Sequence, residues 1–258
     1  MVPYAPHAST IELAARLGAS AHVATVVGST DLSTGLREVV LNGHAAELAG
    51  RAGNDVMVLV EPDEQRIVRR RYSVRSVDVD ADQFTLWVTT GHDGAGSRWA
   101  QRCAPGELVD VIGPRGQIGL DPLADWHLFV GDTSGLAAFY RLAQSIDVPG
   151  RAIFIVEIDH PDDALVATFD EGLGVTGIFV DRAGRSRDNP AGLLRGLAAF
   201  AFPPDSGHAY LFGEFTTMKA VHAALRDRGL EEIALSRKAF WRVGRHNADH
   251  GEPDKGEA

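Results

Sequence analysis

The sequence predicts two domains of different class: a six-stranded antiparallel β-barrel followed by an α/β domain built on a parallel sheet. Two observations carry this. Before residue 120, short alternating runs are separated by turn residues, with no room for crossover helices. After Asp121-Pro122 the rhythm changes, and compact apolar runs alternate with helical stripes. At 258 residues the chain is long enough for two domains of ordinary size. The boundaries expected are 1–121 and 122–258.

The elements follow in order. Ser9 and Glu12 stand at capping-box separation, so a short helix is expected over the following leucines, closed by Gly18. The strand-like runs are residues 21–27, 36–41, 55–60, 67–75, 83–90 and 107–112. In the fifth, Phe84, Leu86 and Val88 alternate with Thr85, Trp87 and Thr89, the period of a half-buried strand. In the second domain, strands are expected at 126–130, 152–158, 177–180 and 209–212. Helices are expected after residue 135, with Leu136, Phe139, Tyr140, Ala143 and Ile146 on one stripe, and over 193–200 and 217–228. The Asp162-Asp163 pair reads as a helix start. A C-terminal helical segment and a polar tail complete the expectation.

Composition bounds the function. A net charge of −10 and a pI near 5.4 argue against nucleic acid as the principal partner. The single cysteine, Cys103, excludes an intrachain disulfide and reads as a small buried residue. No apolar run approaches the ~20 residues that span a bilayer, and there is no secretory pattern at the N-terminus. No membrane insertion and a cytoplasmic location are therefore expected. The ten histidines show no metal-ligand spacing, so no metal site is expected, and no Ser/His/Asp set can be assembled.

Three stretches carry chemistry. The first runs from Arg69-Arg70-Arg71 through Tyr72, Ser73, Arg75 and Asp78. On a strand, Arg70, Tyr72 and Val74 share one face, and Arg71, Ser73 and Arg75 the other. Two readings stand: an edge strand whose charges discourage pairing, or a cradle for a planar anionic ligand, since arginine pairs bidentately with phosphate. The second is Gly91-His92-Asp93-Gly94-Ala95-Gly96-Ser97-Arg98-Trp99, a glycine-rich turn opening a helix. A helix N-terminus offers unpaired amides and partial positive charge to a pyrophosphate, although most such turns are only turns. The third is Gly131-Asp132-Thr133-Ser134-Gly135, after the first strand of the second domain, with Gly213-Glu214 at the same edge. Open α/β sheets bind ligands there. The stretch lacks the Gly-x-Gly-x-x-Gly spacing, so structural turns remain the plainer reading.

Taken together, Arg70-x-Tyr72-Ser73-x-Arg75-x-x-Asp78, His92-x-Gly94-x-Gly96-Ser97-x-Trp99-Ala100, Pro105-Gly106 and Gly113-Pro114-Arg115-Gly116 resemble the siderophore-interacting proteins. These are FAD-dependent ferric-siderophore reductases of the ferredoxin-reductase superfamily. The likeness continues through Gly131-Asp132, Val156-Glu157, Gly213-Glu214 and Trp241-Arg242-x-Gly244. It implies an FAD-binding barrel followed by a nicotinamide-nucleotide-binding-like domain. By that likeness Arg70 contacts flavin phosphate, Tyr72 packs on the isoalloxazine, and Ser73 hydrogen-bonds near its reactive edge. Gly94, Gly96, Ser97 and Trp99 hold the pyrophosphate. Arg75, Asp78 and His92 complete the cofactor-binding set.

The resemblance further implies nucleotide contacts from Gly131, Asp132, Thr133, Glu157, Gly213 and Glu214, with NADH or NADPH as donor, or reduced ferredoxin as a partner. Glu157 and Asp159 are acidic where an adenosine ribose would sit, which leans towards NADH. The substrate implied is a ferric siderophore, often anionic. Lys238, Arg242, Arg245 and His246 are then candidate contacts, or simply a solvated basic helix end. The chain departs from the family where Thr133-Ser134-Gly135 replaces Glu-Thr and a nearby proline. It departs again where a lysine is missing from residues 56–60, and where Ala95-Gly96-Ser97 replaces Pro-Ala-Ser.

Overall fold

The computed structural model describes residues 5–62, 67–167 and 172–245. They divide into two compact units, one up to residue 32 and from 36 to 119, the other of residues 33–35 and from 120 onward. Among the described residues, no helix is long and apolar enough to cross a membrane.

In the first unit, β1 (Ser20–Ser33), β2 (Leu36–Asn42), β3 (Asp55–Pro62), β4 (Ile67–Asp78), β5 (Gln83–Thr89) and β6 (Leu108–Arg115) close an antiparallel barrel. The order is β1-β2-β5-β4-β3-β6, with β6 returning to β1. Alternation decides what fills it. Val39, Leu41, Val58, Phe84, Leu86 and Val111 point inward and are almost wholly buried. Each such side chain contributes about 1.5–3 kcal/mol.

Three helices surround the barrel. Helix α1 (Ala8–Leu17) packs Leu13 and Ala14 against Met57 and Ile112, and Gly18 ends it in the left-handed region. The expected capping box does not form. His7 holds the cap position, its Nδ1 accepting from the Ser9 amide at 3.2 Å, so Ser9 falls inside the helix. Helices α2 (Ala45–Ala49) and α3 (Ala95–Arg102) close opposite ends. The first follows the end of β2; the second lies by the start of β2, where Arg37 meets Gln101, and by the end of β3, where Arg102 meets Val60.

In the second unit, β7 (Trp126–Asp132), β8 (Ala152–Ile158), β9 (Thr176–Asp181), β10 (Gly207–Glu214) and β11 (Leu235–Trp241) form a parallel sheet in the order β11-β10-β7-β8-β9. Helices α4 (Leu136–Ala143), α5 (Asp163–Ala167), α6 (Ala191–Ala199) and α7 (Phe215–Asp227) are the crossovers. Strands β7 and β8 are buried along their whole length, as a parallel sheet covered on both faces requires. The expected C-terminal helical segment is instead the edge strand β11, in register with β10 from Ala209 opposite Leu235. Ser236, Arg237 and Lys238 disguise it, because an edge strand carries polar residues that a central one does not.

Candidate functional site

The three consecutive arginines separate onto different partners. Arg69 donates to Ser9 Oγ at 2.7 Å and Thr10 Oγ1 at 3.0 Å, fastening α1 to the barrel. Arg71 forms a two-pronged pair with the buried Asp55 on β3. Arg70, one residue between, turns the other way, and its Cγ lies beside Gly96 at the start of α3. The alternation of the strand thus resolves what would be a run of repelling cations.

On the Arg70 face stands Tyr72, half-buried against the barrel core and stacked on Trp99 with ring centroids 6.0 Å apart. Gly96 makes this approach feasible: a Cβ there would lie 2.2 Å from Tyr72 Oη and 3.2 Å from Arg70 Cγ. The Tyr72 hydroxyl and Trp99 Nε1 are buried and have no hydrogen-bond partner among the described residues. Burial pushes the Tyr72 hydroxyl's pKa up, with Arg70 opposing, so it remains a neutral donor. Orphaned polar atoms of this kind cost about 1–3 kcal/mol each unless a ligand satisfies them.

The α3 N-terminus adds donors. Gly94 caps it without a side-chain acceptor, and its first turn carries no acidic residue. Ser97 is buried, and its hydroxyl donates to the Thr90 carbonyl at 3.0 Å, fixing the turn. Arg70, Tyr72, Gly94, Gly96, Ser97 and Trp99 therefore converge.

Ser73 faces away from Tyr72, opposite Asp55. Arg75 sits in a bulge between Val74 and Ser76, buried, with its guanidinium 4.8 Å above the Trp87 ring. That cation–π contact puts it on the outer face with Trp87, away from the cradle. Asp78 accepts from the Ala81 amide at 3.0 Å and shapes the β4–β5 turn. His92 is exposed beside Thr89. Arg75 and Asp78 are placed as barrel and turn residues, while the His92 ring lies beside Gly94 at the start of α3.

In the second unit, Gly131 and Phe212 are register partners on β7 and β10, where the strand order reverses. A Cβ at Gly131 would lie 1.9 Å from the Phe212 carbonyl, so only glycine fits. Asp132 is nearly fully committed. One carboxylate oxygen accepts from the Ser134 amide at 2.9 Å; the other accepts from the Glu214 amide and Trp241 Nε1, both at 3.0 Å. Thr133 lies in the short 3₁₀ turn that follows. Glu214 caps α7 through the Thr217 amide at 2.8 Å, and Gly213 adopts φ 157° against Asp132.

Glu157, the acid near the end of β8, lies buried among arginines. It is 2% exposed and 2.7 Å from Arg182 Nη1, while Asp159 meets Arg182 and Arg187. Burial raises its pKa and the two nearby arginines, Arg182 and Arg185, oppose that. Both acids are ion-paired, while Glu157 Oε1 has no hydrogen-bond partner among the described residues; the arginines arrive from the loop after β9 and were invisible in the local sequence.

Lys238 lies on β11 with its Nζ 5.5 Å from the Phe240 ring centroid, and Arg242 stacks over Phe215 at 4.7 Å. Arg245 is exposed, in the turn that follows. His246 lies outside the described residues.

Known proteins resemble this chain in sequence and in fold. A model described as siderophore-interacting FAD-binding domain matches residues 44–118, and one described as siderophore-interacting protein matches residues 124–244. An uncharacterised protein of Mycobacterium tuberculosis is 30% identical over 200 residues, covering 71% of this chain and 68% of that protein. The ferric vibriobactin reductase of Vibrio cholerae is 23% identical over 199 residues, 73% of this chain and 70% of its own. The crystal structure of a siderophore utilization protein from T. fusca superposes with a TM-score of 0.73 at 24% identity, covering 90% of this chain and 96% of that one. The chain belongs to the siderophore-interacting protein family, with a ferredoxin-reductase-like fold and an FAD-binding domain.

Proposed function

We propose that this chain is an FAD-dependent ferric-siderophore reductase that releases iron as Fe(II), with electrons from NADH, NADPH or reduced ferredoxin. The observation that carries it is the Tyr72–Gly96 approach, which brings an aromatic ring, an orphaned hydroxyl, the Arg70 stem and uncapped helix amides together. Those are the groups a flavin dinucleotide needs at its ring and its phosphates. FAD, when bound, supplies the electron relay between a hydride or single-electron donor and a ferric centre.

The remaining roles belong to the protein. Arg70 neutralises phosphate charge, and the amides of α3 orient the pyrophosphate. Tyr72 and Trp99 hold the ring system and keep water from one side of it. Gly131 and Gly213 let β7, β10 and Asp132 approach closely at the sheet edge where a nucleotide would lie. Lys238, Arg242 and Arg245 offer cations to an anionic siderophore on a protein whose net charge is −10. Reduction of the iron weakens its hold on hard oxygen ligands and frees it. This reading supports a cytoplasmic location.

A second reading has a specific observation in its favour. Asp132 spends its carboxylate on Ser134, Glu214 and Trp241, and the following residues depart from the family pattern, which suits a flavin- or siderophore-binding module without hydride transfer. A different NAD(P)H:flavin oxidoreductase acting on an acceptor protein is a further alternative. Anaerobic titration separates them. Bleaching of the flavin by NADH, NADPH or reduced ferredoxin, reversed by a ferric siderophore with trapped Fe(II), supports the reductase. Reduction without reoxidation by any ferric siderophore contradicts it.

A further inference from the structure

At the end of the barrel closed by α2, well apart from the Tyr72 cradle in sequence and on the opposite side from α3, three metal-ligating side chains converge. His22 lies on β1, His44 immediately precedes α2, and Glu47 lies one turn into that helix. His22 Nε2 is 3.0 Å from one Glu47 carboxylate oxygen, and His44 Nδ1 is 3.5 Å from the other. The imidazole centroids are 3.8 Å apart. One donor atom from each of the three residues falls within 4.8 Å of the others, the one such group among the described residues.

The spacing in sequence hides this, which is why the histidines suggested no metal site. Antiparallel pairing brings the start of β1 beside the end of β2, and the chain then turns at Gly43 and His44. His44 itself adopts φ 63°, a left-handed conformation that a non-glycine residue holds only when its surroundings require it. That conformation turns its ring onto His22.

We propose that His22, His44 and Glu47 bind a divalent first-row transition cation, with two imidazole nitrogens and a carboxylate oxygen as ligands and water completing the shell. Bond lengths of about 2.0–2.2 Å in such sites place tetrahedral ligand atoms roughly 3.3–3.5 Å apart. The contacts of 3.0 and 3.5 Å run to different oxygens of Glu47, so the carboxylate turns to present one oxygen and the rings draw together when an ion binds. Nitrogen and carboxylate donors favour Zn²⁺ and its neighbours over Mg²⁺, which prefers oxygen. The side chains are 12%, 41% and 47% exposed, so an ion has a path in from solvent. Behind them lies an apolar pocket lined by Ala24, Leu48, Val56, Phe84 and Val111, which shields the inner side. The Gly113 carbonyl also lies 3.2 Å from His22 Nε2, so that contact is given up when Nε2 turns its lone pair to the ion.

Equilibrium dialysis of the chelator-stripped flavoprotein against ZnCl₂, read by atomic emission, tests this. One Zn²⁺ per chain is expected at micromolar free metal, with no uptake from MgCl₂ under the same conditions. His44→Gln and Glu47→Gln, both at exposed positions, are each expected to weaken Zn²⁺ binding by at least about tenfold. Their visible flavin spectrum and thermal melt without metal should match the unsubstituted protein. Absence of uptake by the unsubstituted protein at tens of micromolar metal, or equal uptake by the double variant His44→Gln/Glu47→Gln, would overturn the proposal. Because neither residue touches the cradle, failure here leaves the FAD reading standing, and the reverse is also true.

Discussion

Tyr72 Oη and Gly96 Cα are brought so close that the missing side chain of Gly96 defines the shape of the cradle: a Cβ would sit 2.2 Å from that oxygen. The contact is with the tip of a side chain, so an added methyl moves the tyrosine ring rather than the backbone. Gly96→Ala is expected to cost about 1 kcal/mol of stability and to weaken FAD binding by an order of magnitude or more. Fluorescence titration with FAD reads the second effect. Tyr72→Phe in the same background removes the clashing atom, and its partial rescue of affinity over the sum of the single changes would identify the contact as the cause.

Arg70 and Arg71 are neighbours with opposite duties. Arg71→Ala removes the two-pronged partner of the buried Asp55 carboxylate and is expected to destabilise the barrel by about 3 kcal/mol. Arg70→Ala is expected to leave urea unfolding within about 0.5 kcal/mol of the parent while losing FAD. Equal effects of the two on stability would refute the division.

Asp132 gathers β7, β10 and β11 at one point through the amides of Ser134 and Glu214 and the Trp241 indole. Asp132→Asn turns an amide donor towards groups that are themselves donors. A loss of about 2–4 kcal/mol in the second unit's unfolding is expected. If unfolding is unchanged while nucleotide affinity falls, Asp132 acts as a ligand rather than a brace.

Stability should also depend on pH through His127. Burial, reinforced by His208, brings its pKa down to about 4, and its Nδ1 has no partner among the described residues. Between that value and the ordinary one near 6.5, the unfolded chain binds a proton that the folded chain refuses. Stability contributed by the neutral ring is therefore fully present above pH ~6.5 and is lost as pH falls towards about 4. A loss of about 1–3 kcal/mol across this window is expected. His127→Phe should flatten that slope in urea midpoints measured at the two ends; an unchanged slope assigns it to other groups.

How much of this was readable beforehand depends on how local each signal was. Alternation in Phe84, Leu86 and Val88 is a property of consecutive residues, so the barrel was legible. So were the glycine turn before α3 and the Gly131 edge, because close approach leaves a glycine behind. Strand β11 was misread as helix since Arg237 and Lys238 mask an edge strand. The fate of Glu157 was hidden because Arg182 reaches it from 25 positions away. His22 and His44 meet only after β1 and β2 pair. What propensity and spacing report is the chain's own neighbourhood; ion pairs and ligand sets made across strands are decided by register.

The most direct measurement is FAD titration of the purified chain, followed by visible absorption and by quenching of tryptophan fluorescence. One FAD per chain, a yellow protein, and loss of both signals in Arg70→Ala with its fold intact is the expected result. A well-folded, colourless protein that takes up no FAD when it is supplied would contradict the account.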